Sequence, residues 1–452
     1  MTSRARKHEH PRAIPAGFLL TLLPVVCAAA AATDADEMAI PGPSSIPARL
    51  TIDDAVRLAT TRGYDVLAAE AAMRASEGDV RTAGALANPI VSGSLGRAFG
   101  YDPSLCAGCS NIAWSASLQD PAALSDIISG KRGLRVRAAQ TALEAVGYDR
   151  SEAIRQLTFA ARSQYMQVAR NDAAVVLAQT VAGLYEEVRA LTETRLRAGA
   201  VSSAELARAE TAKFEAEQDL TSARLALATS RAELAFLLGA RGPTPAFAVD
   251  RAALSWRALP RLPALDDLVA QALGLRPDML AAQRRVVAAQ AALDSMRRRR
   301  VPDVGVQLEA NGMGTGQNAI SPPTLSLGLS LAPPLAYRLQ GELQRARAEL
   351  DARVVDRNRV AARVETNLRT AGEALRSADE RVRRMTDHLE PAARRARDLV
   401  RLQWEKGAAS FLELLDAQRT YVANAAEMLR DQADYWTAVF ALEQAAARDL
   451  LP

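Results

Sequence analysis

The chain has 452 residues, of which 49 % are hydrophobic, and a formal net charge of +4 at pH 7. This length suits several compact domains or one large subunit of an assembly. Most of the excess positive charge lies in residues 1–32, so the rest of the chain carries about +1 and gives no support for nucleic-acid binding.

Residues 1–32 have the layout of a secretory signal peptide. A basic stretch precedes an apolar run, Ala16–Ala32, that ends in consecutive alanines. The run is too short for a membrane span, so we expect cleavage after about residue 32. Cys27 would leave with the signal, because Val26 precedes it where lipidation needs a small residue; lipidation of Cys27 is the alternative. No later stretch approaches about 18 continuous apolar residues, so no transmembrane helix is predicted.

The mature chain repeats itself after a linker. Residues 33–49, rich in Pro, Gly and Ser, predict an extended linker. Ile52–Gly96 then aligns without a gap on Leu265–Glu309, and Gly199–Leu206 aligns on Gly407–Leu414. A duplication of this length predicts one supersecondary unit used twice, with an internal pseudo-twofold axis.

The predicted domain division follows from this duplication. The first structural repeat spans 50–238, a poorly helical connector spans 239–264, and the second repeat spans 265–450. Each repeat is expected to contain a helix, a β-hairpin, a long helix and a return helix, so the fold class is mainly α with a smaller β component.

In the first repeat, a helix capped by Thr51 or Asp53 is predicted to run to about Leu86. Alternating stretches within 90–118 predict the hairpin. The segment 131–198 contains no proline and predicts a helix about 100 Å long.

The second repeat has the same order of elements. In its second predicted strand, Leu325–Leu331, leucine alternates with Ser and Gly, so one face is apolar and the other is small and polar. This pattern is typical of a membrane β-barrel strand; a hairpin half-buried in a soluble core is the alternative. Return helices are predicted at 203–238 and 411–450.

A heptad seam marks the second long helix. Apolar residues alternate spacings of four and three from Val364 to Leu389, the period of a coiled coil. Since one chain of this topology could not bury such faces, self-association is expected. Pro391 interrupts the helix, and Gly183 holds the matching position in the first repeat, which predicts a shared bend.

The sequence offers little for catalysis. His388 is the only histidine outside the signal and is predicted on a helix surface, and no phosphate-binding motif is present. Cys106 and Cys109 lie in the first hairpin loop and predict a small disulfide in an oxidising compartment; a metal- or redox-active pair is the alternative. The chain is therefore predicted to be no enzyme and to hold no cofactor or metal.

Several motifs together resemble the TolC-like outer-membrane efflux proteins, also called outer membrane factors. They are Leu50–Val56, Ala87–Pro89 and Leu414–Thr420. Gly130–Arg132 and Gln340–Glu342 are similar to the heavy-metal, CzcC-like branch of that family. The resemblance covers essentially the whole chain after the linker.

This resemblance implies a homotrimer in the outer membrane of a Gram-negative cell. Each subunit would give four strands to one shared β-barrel of about twelve strands, and the long helices would form a tube across the periplasm. The implied partners are a periplasmic adaptor (membrane fusion) protein, an inner-membrane pump of the RND type and outer-membrane lipid.

The implied function is a passive conduit in a tripartite efflux system for heavy-metal cations. Multidrug efflux and type I secretion are alternative cargoes of such a conduit. A periplasmic coiled-coil structural or adaptor protein is an alternative from a different class, although it would need no apolar-faced strands, and a secreted enzyme lacks a catalytic constellation.

The resemblance also assigns site residues. The adaptor would dock on two turns, formed by Gly199, Ala200, Val201 and Ser202 and by Gly407, Ala408, Ala409 and Ser410. Glu413 and Asp416 match positions where TolC carries aspartates at its periplasmic constriction, which implies acidic gate rings in the trimer. The alternative is that both carboxylates compensate the helix dipole. Ala409 stands where TolC has an arginine, so the salt-bridge lock of TolC is not implied.

Overall fold

The structure is a computed structural model that describes residues 46–97, 99, 104, 111–243, 245–258, 263–312 and 323–450. The chain divides into two compact units, and every described residue belongs to the second, Pro43–Pro452. The predicted signal peptide, most of the predicted linker and the Cys106–Cys109 pair lie outside the described residues.

The helices follow the duplicated order. They are α1 (Ile52–Arg62), α2 (Tyr64–Gly84), α3 (Ala123–Ser129), α4 (Lys131–Arg197), α5 (Ser203–Leu237), α6 (Leu265–Leu275), α7 (Pro277–Arg298), α8 (Gln340–Arg384), α9 (Glu390–Glu405) and α10 (Phe411–Ala446). A π-helical turn, Met385–Leu389, joins α8 to α9. The predicted mainly helical architecture is confirmed, and none of the described helices is both long and apolar enough to span a membrane.

The strands form two sheets. They are β1 (Arg49–Leu50), β2 (Ile90–Arg97), β3 (Ile112–Asp120), β4 (Ala248–Val249), β5 (Asp303–Gly312) and β6 (Thr324–Ala332). β1 and β4 make a short parallel pair, and the other four make an antiparallel sheet in the order β2-β3-β5-β6. One hairpin from each repeat therefore contributes half of the larger sheet.

The larger sheet is two-faced across all four strands. One row of paired residues is wholly apolar: Val91, Leu118, Leu308 and Leu327. The next row is polar: Ser92, Ser117, Glu309 and Ser326. The Ser92 and Ser117 hydroxyls lie 3.0 Å apart and form a cross-strand hydrogen bond. The alternation predicted for β6 thus extends over the whole sheet.

The main core lies where the two repeats meet the connector. Tyr165 of α4 is fully buried there, donates its hydroxyl to the Leu50 carbonyl (3.1 Å) and accepts from the Asp250 amide (3.0 Å). Burial raises the pKa of Tyr165, so the hydroxyl remains a donor. This residue ties the long helix to β1 and to the residue that follows β4.

The first helix of each repeat is broken into two. In the first repeat, one continuous helix to about Leu86 is predicted from the sequence. α1 ends at Arg62, Gly63 separates it from α2, and α2 ends at Gly84. In the second repeat the same position holds Arg276, followed by Pro277 at the first turn of α7. Proline is well tolerated at a helix start but lacks the amide needed in its interior, so Pro277 was the signal for this break.

The heptad seam of α8 is buried within the chain. Val364, Leu368 and Val382 are at most 1 % exposed, because α10 and α6 pack against α8. The seam therefore gives no support for self-association, since the chain supplies its own partner helix.

The two positions that predict a shared bend differ in helix type. Pro391 is preceded by the π-helical turn, which accommodates a residue that cannot donate a helical hydrogen bond. α4 continues as α-helix through Gly183, because glycine keeps its amide donor. The hydrogen-bonding pattern changes only in the second repeat.

Gly63 offers a stability test of the helix break. A Cβ atom built there would lie 2.5 Å from the Ala59 carbonyl oxygen and 2.6 Å from Leu157 Cδ2. Gly63→Ala should lower the free energy of unfolding by about 1–3 kcal/mol, visible as a lower thermal midpoint in circular dichroism. Gly78→Ala on α2 is the matched control, because nothing lies within 4 Å of its Cβ position. A Gly63→Ala midpoint equal to that of the control would contradict the close approach.

Candidate functional site

Both long helices end in the same turn. Gly199 and Gly407 adopt left-handed conformations, with φ of 71° and 76°. After the first turn the Ala200 amide donates to the Arg195 carbonyl at 2.9 Å, and the second turn repeats this bond at 2.8 Å. This is the Schellman ending of a helix, for which glycine is the favoured residue.

Both return helices also begin in the same way. Ser202 caps α5, and its amide and the Glu205 side chain close a capping box at 3.1 Å. Ser410 caps α10, and its amide donates to the Glu413 carboxylate at 2.7 Å. The two sequence-predicted docking turns are therefore equivalent units, each with a glycine ending followed by a capped start.

The two turns are held together by Arg195 of α4. Its guanidinium lies 4.5 Å from the centroid of the Trp404 ring on α9 and donates to the Glu405 carbonyl at 3.2 Å. Trp404 in turn contacts Phe411 at the start of α10, with ring centroids 6.3 Å apart. This clamp has no local sequence signal, since its partners lie about two hundred residues apart.

A separate hydrophobic cluster underlies the clamp. Its buried members come from α4, α5, α9 and α10 and are Tyr185, Val188, Ala209, Ala212, Ala216, Trp404, Phe411, Leu414 and Leu415. The cluster gives this end of the helices its own core, separate from the main core. Four helices from both repeats thus converge at one tip.

An ion-pair network lies beside this cluster. Glu186 pairs with Arg189 of the same helix at 2.8 Å and with Lys213 of α5 at 2.9 Å. Hydrogen bonds from Arg189, and then from Lys213, lower the pKa of Glu186 to about 2. Because this pKa is lowered, Glu186 loses its charge only as the pH falls through about 2. Its ion pair with Lys213 therefore links α4 to α5 until the pH falls to about that value.

The two predicted gate carboxylates have different surroundings. Glu413 accepts hydrogen bonds from the Ser410 amide and hydroxyl, which hold the pKa of Glu413 below its usual value. Asp416 lies one helical turn further and is exposed. Its equivalent in the first repeat is Arg208, whereas Glu205 repeats the capping role of Glu413. Glu413 therefore has a structural role within the chain, and Asp416 is the carboxylate that is distinctive of the second turn.

The two heavy-metal-branch motifs lie at the other end of the long helices. Lys131 is buried and donates to the Asp303 carboxylate (2.6 Å) and the Val301 carbonyl (2.7 Å). Glu342 accepts from the Tyr337 hydroxyl at 2.8 Å. Lys131 therefore connects the start of α4 to the start of β5, and Glu342 connects the loop after β6 to the start of α8.

Within the described ranges no group of three or more His, Cys, Asp or Glu side chains could hold a metal ion. His388 is exposed in the π-helical turn, as predicted for a helix-surface residue. The role predicted for Cys106 and Cys109 falls outside the described residues.

Comparison with known proteins identifies relatives of this chain. The family model described as outer membrane efflux protein matches residues 55–240 and 268–448. The cobalt-zinc-cadmium resistance protein CzcC of Cupriavidus metallidurans is 24 % identical over 90 % of this chain and 92 % of its own length.

Two further similarities cover most of the chain. The pyoverdine export outer membrane protein OpmQ of Pseudomonas aeruginosa is 25 % identical over 84 % of this chain and 81 % of its own. A crystal structure of CusC, described as undergoing transmembrane channel formation, superposes with a TM-score of 0.71 at 18 % identity, covering 87 % of this chain and 91 % of its own.

The Arg195 clamp predicts a measurable coupling between the turns. Arg195→Ala should speed amide hydrogen exchange in Trp404–Gly407 by about tenfold, because a cation–π contact and its hydrogen bonds together contribute roughly 1.5 kcal/mol. Arg195→Lys keeps the charge but loses the planar stack, so it should recover only part of the protection. Arg208→Ala, an exposed arginine of α5, is the control. Exchange unchanged by Arg195→Ala would show that the clamp does not hold the second turn.

Proposed function

Because the chain belongs to the outer membrane efflux protein family, we propose that it is the channel subunit of a tripartite efflux system that exports heavy-metal cations. The protein is an outer membrane efflux channel and not an enzyme. The observation that carries the proposal furthest is the two-faced sheet attached to a long helical body.

The apolar face of the sheet suits a membrane barrel. Val91, Leu95 and Leu327 are 71–78 % exposed in the single chain, which is costly in water and favourable in lipid. β3 has nine residues, which at about 3.3 Å each and a tilt of about 40° span about 23 Å. That height is close to the apolar band of about 25 Å of outer-membrane barrels.

The open edges of the sheet support a trimer. β2 and β6 each have one paired neighbour in the described residues, and four strands are too few to close a barrel. Three copies would supply the roughly twelve strands of a closed barrel, with β6 of one copy beside β2 of the next. Barrel closure removes the exposed edges, which explains how long apolar strands avoid aggregation.

The helical body offers a second surface for neighbouring copies. Phe214, Leu225 and Phe236 of α5 are 62–69 % exposed and recur every eleven residues. An eleven-residue period keeps these side chains on one line of a helix. In the proposed trimer this line packs on a helix of the next subunit and forms part of the periplasmic tube.

The predicted division of the chain belongs to the same proposal. Residues 1–32 would be removed as a signal peptide, and 33–49 would link the mature amino terminus to the first repeat. The repeats at 50–238 and 265–450 would each give one hairpin to the barrel and one long helix pair to the tube, joined by the connector at 239–264.

The two equivalent turns are the proposed adaptor-docking sites. Nothing lies within 4 Å of a Cβ atom built at Gly199 or Gly407, so the tips have open space for a partner. Photo-cross-linkers placed at Ala200 and Ala408 should form adducts with a co-expressed periplasmic adaptor of the RND-type pump. A cross-linker at Leu225, in the proposed contact between subunits, is the control. Adducts that form at Leu225 but not at either tip would contradict docking there.

Similarity to a relative guides the choice of cargo. CzcC is described as a cobalt-zinc-cadmium resistance protein and matches nearly all of this chain. OpmQ is described as a pyoverdine export protein, and its similar identity supports an organic cargo as the second candidate. Deletion of the gene should lower the tolerated concentration of cobalt, zinc or cadmium; sensitivity only to organic compounds would favour the second candidate.

Reconstitution tests the conduit directly. The mature protein, purified from outer membranes as a trimer, should give a steady single-channel conductance in planar bilayers. The expected current is cation-selective, because three copies of Asp416 would face one another around the periplasmic mouth. A water-soluble monomer without channel activity would contradict the proposal.

The gate prediction uses the same bilayers. Asp416→Asn together with Glu413→Gln should lower cation selectivity and abolish block by trivalent cations from the periplasmic side, since polyvalent cations bridge closely spaced carboxylates. Glutamine still completes the capping box, so the start of α10 should remain intact. Glu205→Gln removes the equivalent charge at the first turn and should leave the block unchanged. If trivalent cations still block the double variant normally, both carboxylates act only at the start of α10.

A further inference from the structure

The short helix α3 buries its polar side chains and exposes its apolar ones. It joins β3 to α4, and its polar side chains are buried: Ser125, Asp126 and Ser129 are 2–7 % exposed. Its isoleucines point outward, with Ile127 60 % and Ile128 71 % exposed. In water alone this orientation is unfavourable, so the outer face needs an apolar environment.

The orientation of α3 is fixed by strong polar contacts. The Asp120 carboxylate accepts from the amides of Ala123 (2.7 Å) and Leu124 (2.8 Å) and so caps the helix. Asp126 accepts both guanidinium bonds of Arg135, at 2.9 and 2.7 Å. With these contacts in place α3 cannot turn its isoleucines inward.

The second repeat places apolar groups at the corresponding point, between β6 and α8. Leu335 is 78 % exposed and Tyr337 is 52 % exposed. The Tyr337 hydroxyl is held by Glu342 and by the Gly341 amide (2.9 Å), which leaves its ring outward. An aromatic ring with a fixed polar end is the side chain that favours a membrane–water interface.

Arginines stand beside both apolar elements. Arg298 donates to the Ser129 carbonyl at the end of α3, and Arg300 donates to the Arg338 carbonyl next to Tyr337 (3.1 Å). Each uses its Nε atom in the stated bond, and Arg298 and Arg300 are both exposed. Exposed guanidinium groups next to apolar side chains are complementary to phosphate headgroups above acyl chains.

We propose that α3 and the Leu335–Tyr337 segment, with Arg298 and Arg300, form a collar that binds phospholipids of the periplasmic leaflet. The inference rests on the proposed membrane sheet, because α3 follows β3 directly and Leu335 lies four residues beyond Leu331 of β6. Both elements must therefore lie at the rim of the apolar band, on the side where the long helices begin. The isoleucines enter the acyl-chain boundary and the guanidinium groups contact phosphate oxygens.

Photo-cross-linking in the native outer membrane identifies the occupant. p-Benzoyl-phenylalanine replaces Ile128 in the full chain, and mass spectrometry of the purified protein after irradiation should show a phospholipid adduct. The same probe at Leu327, on the apolar face of β6, should also capture lipid, and at Leu225 on α5 it should not.

The pattern of adducts separates the two proposals. Lipid adducts at Leu327 but only chain-to-chain or other protein adducts at Ile128, or no adduct there, would overturn the collar and leave the membrane sheet intact. Absence of lipid adducts at both positions would overturn the proposed function itself.

Headgroup binding has its own measurement. The trimer carrying Arg298→Gln and Arg300→Gln should retain phosphatidylglycerol about tenfold more weakly in native mass spectrometry, because charge-assisted hydrogen bonds to phosphate are lost. Arg298→Lys with Arg300→Lys should retain most of the affinity, and Arg376→Gln, an exposed arginine of α8 paired with Glu373, is the control. Equal loss from the control would overturn the role of the collar arginines.

Discussion

A four-stranded sheet with one apolar and one polar face is unfavourable in a single chain in water, because its apolar face and its edges are left exposed. The apolar row that runs from Val91 to Leu327 needs lipid or protein, and the edges of β2 and β6 need further strands. A closed barrel shared among copies meets both needs at once, since it removes the edges and exposes only the apolar face to lipid. The other proposed features depend on this constraint, because closure sets the copy number and brings the long helices together around one axis.

The duplication explains how one chain supplies both ends of such a channel. Each repeat contributes a hairpin at one end and a glycine turn with a capped return helix at the other, about 100 Å away along α4. The two turns share their backbone chemistry, yet they differ at Asp416 and Arg208. Similar backbone geometry with opposite charge at one position gives the two turns distinct surfaces.

Local signals explain which parts of the fold could be predicted. The absence of proline defines α4, and the glycines at 199 and 407 define the turns, because left-handed endings favour glycine. The predicted alternation of apolar and polar residues in β6 was also confirmed, since a period of two can be read directly from the sequence. The break at Gly63 was missed because glycine alone is a weak signal, although Pro277 marked it in the second repeat.

Long-range partners could not be read from the sequence. The α8 seam predicted a partner helix but not that α10 of the same chain fills this place, since heptads do not encode whether the partner is intramolecular. The Arg195–Trp404 clamp joins residues from different repeats and has no local pattern. Glu413 illustrates a different limit: Ser410 and Glu413 have the spacing of a capping box, but this spacing does not exclude a gate, and the geometry shows the cap.

Disulfide trapping across the sheet edges tests the shared barrel most directly. In a chain with Cys106→Ser and Cys109→Ser, one cysteine replaces Ser94 on β2 and another replaces Ser326, Gly328 or Ser330 on β6 in turn. A shared barrel predicts that at least one pair gives covalent dimers and trimers on oxidation in outer membranes. The inner-strand control, Ser115 on β3 with the same partners, should give none. Membrane-inserted protein that never cross-links between copies through β2 and β6 would contradict a barrel shared among subunits.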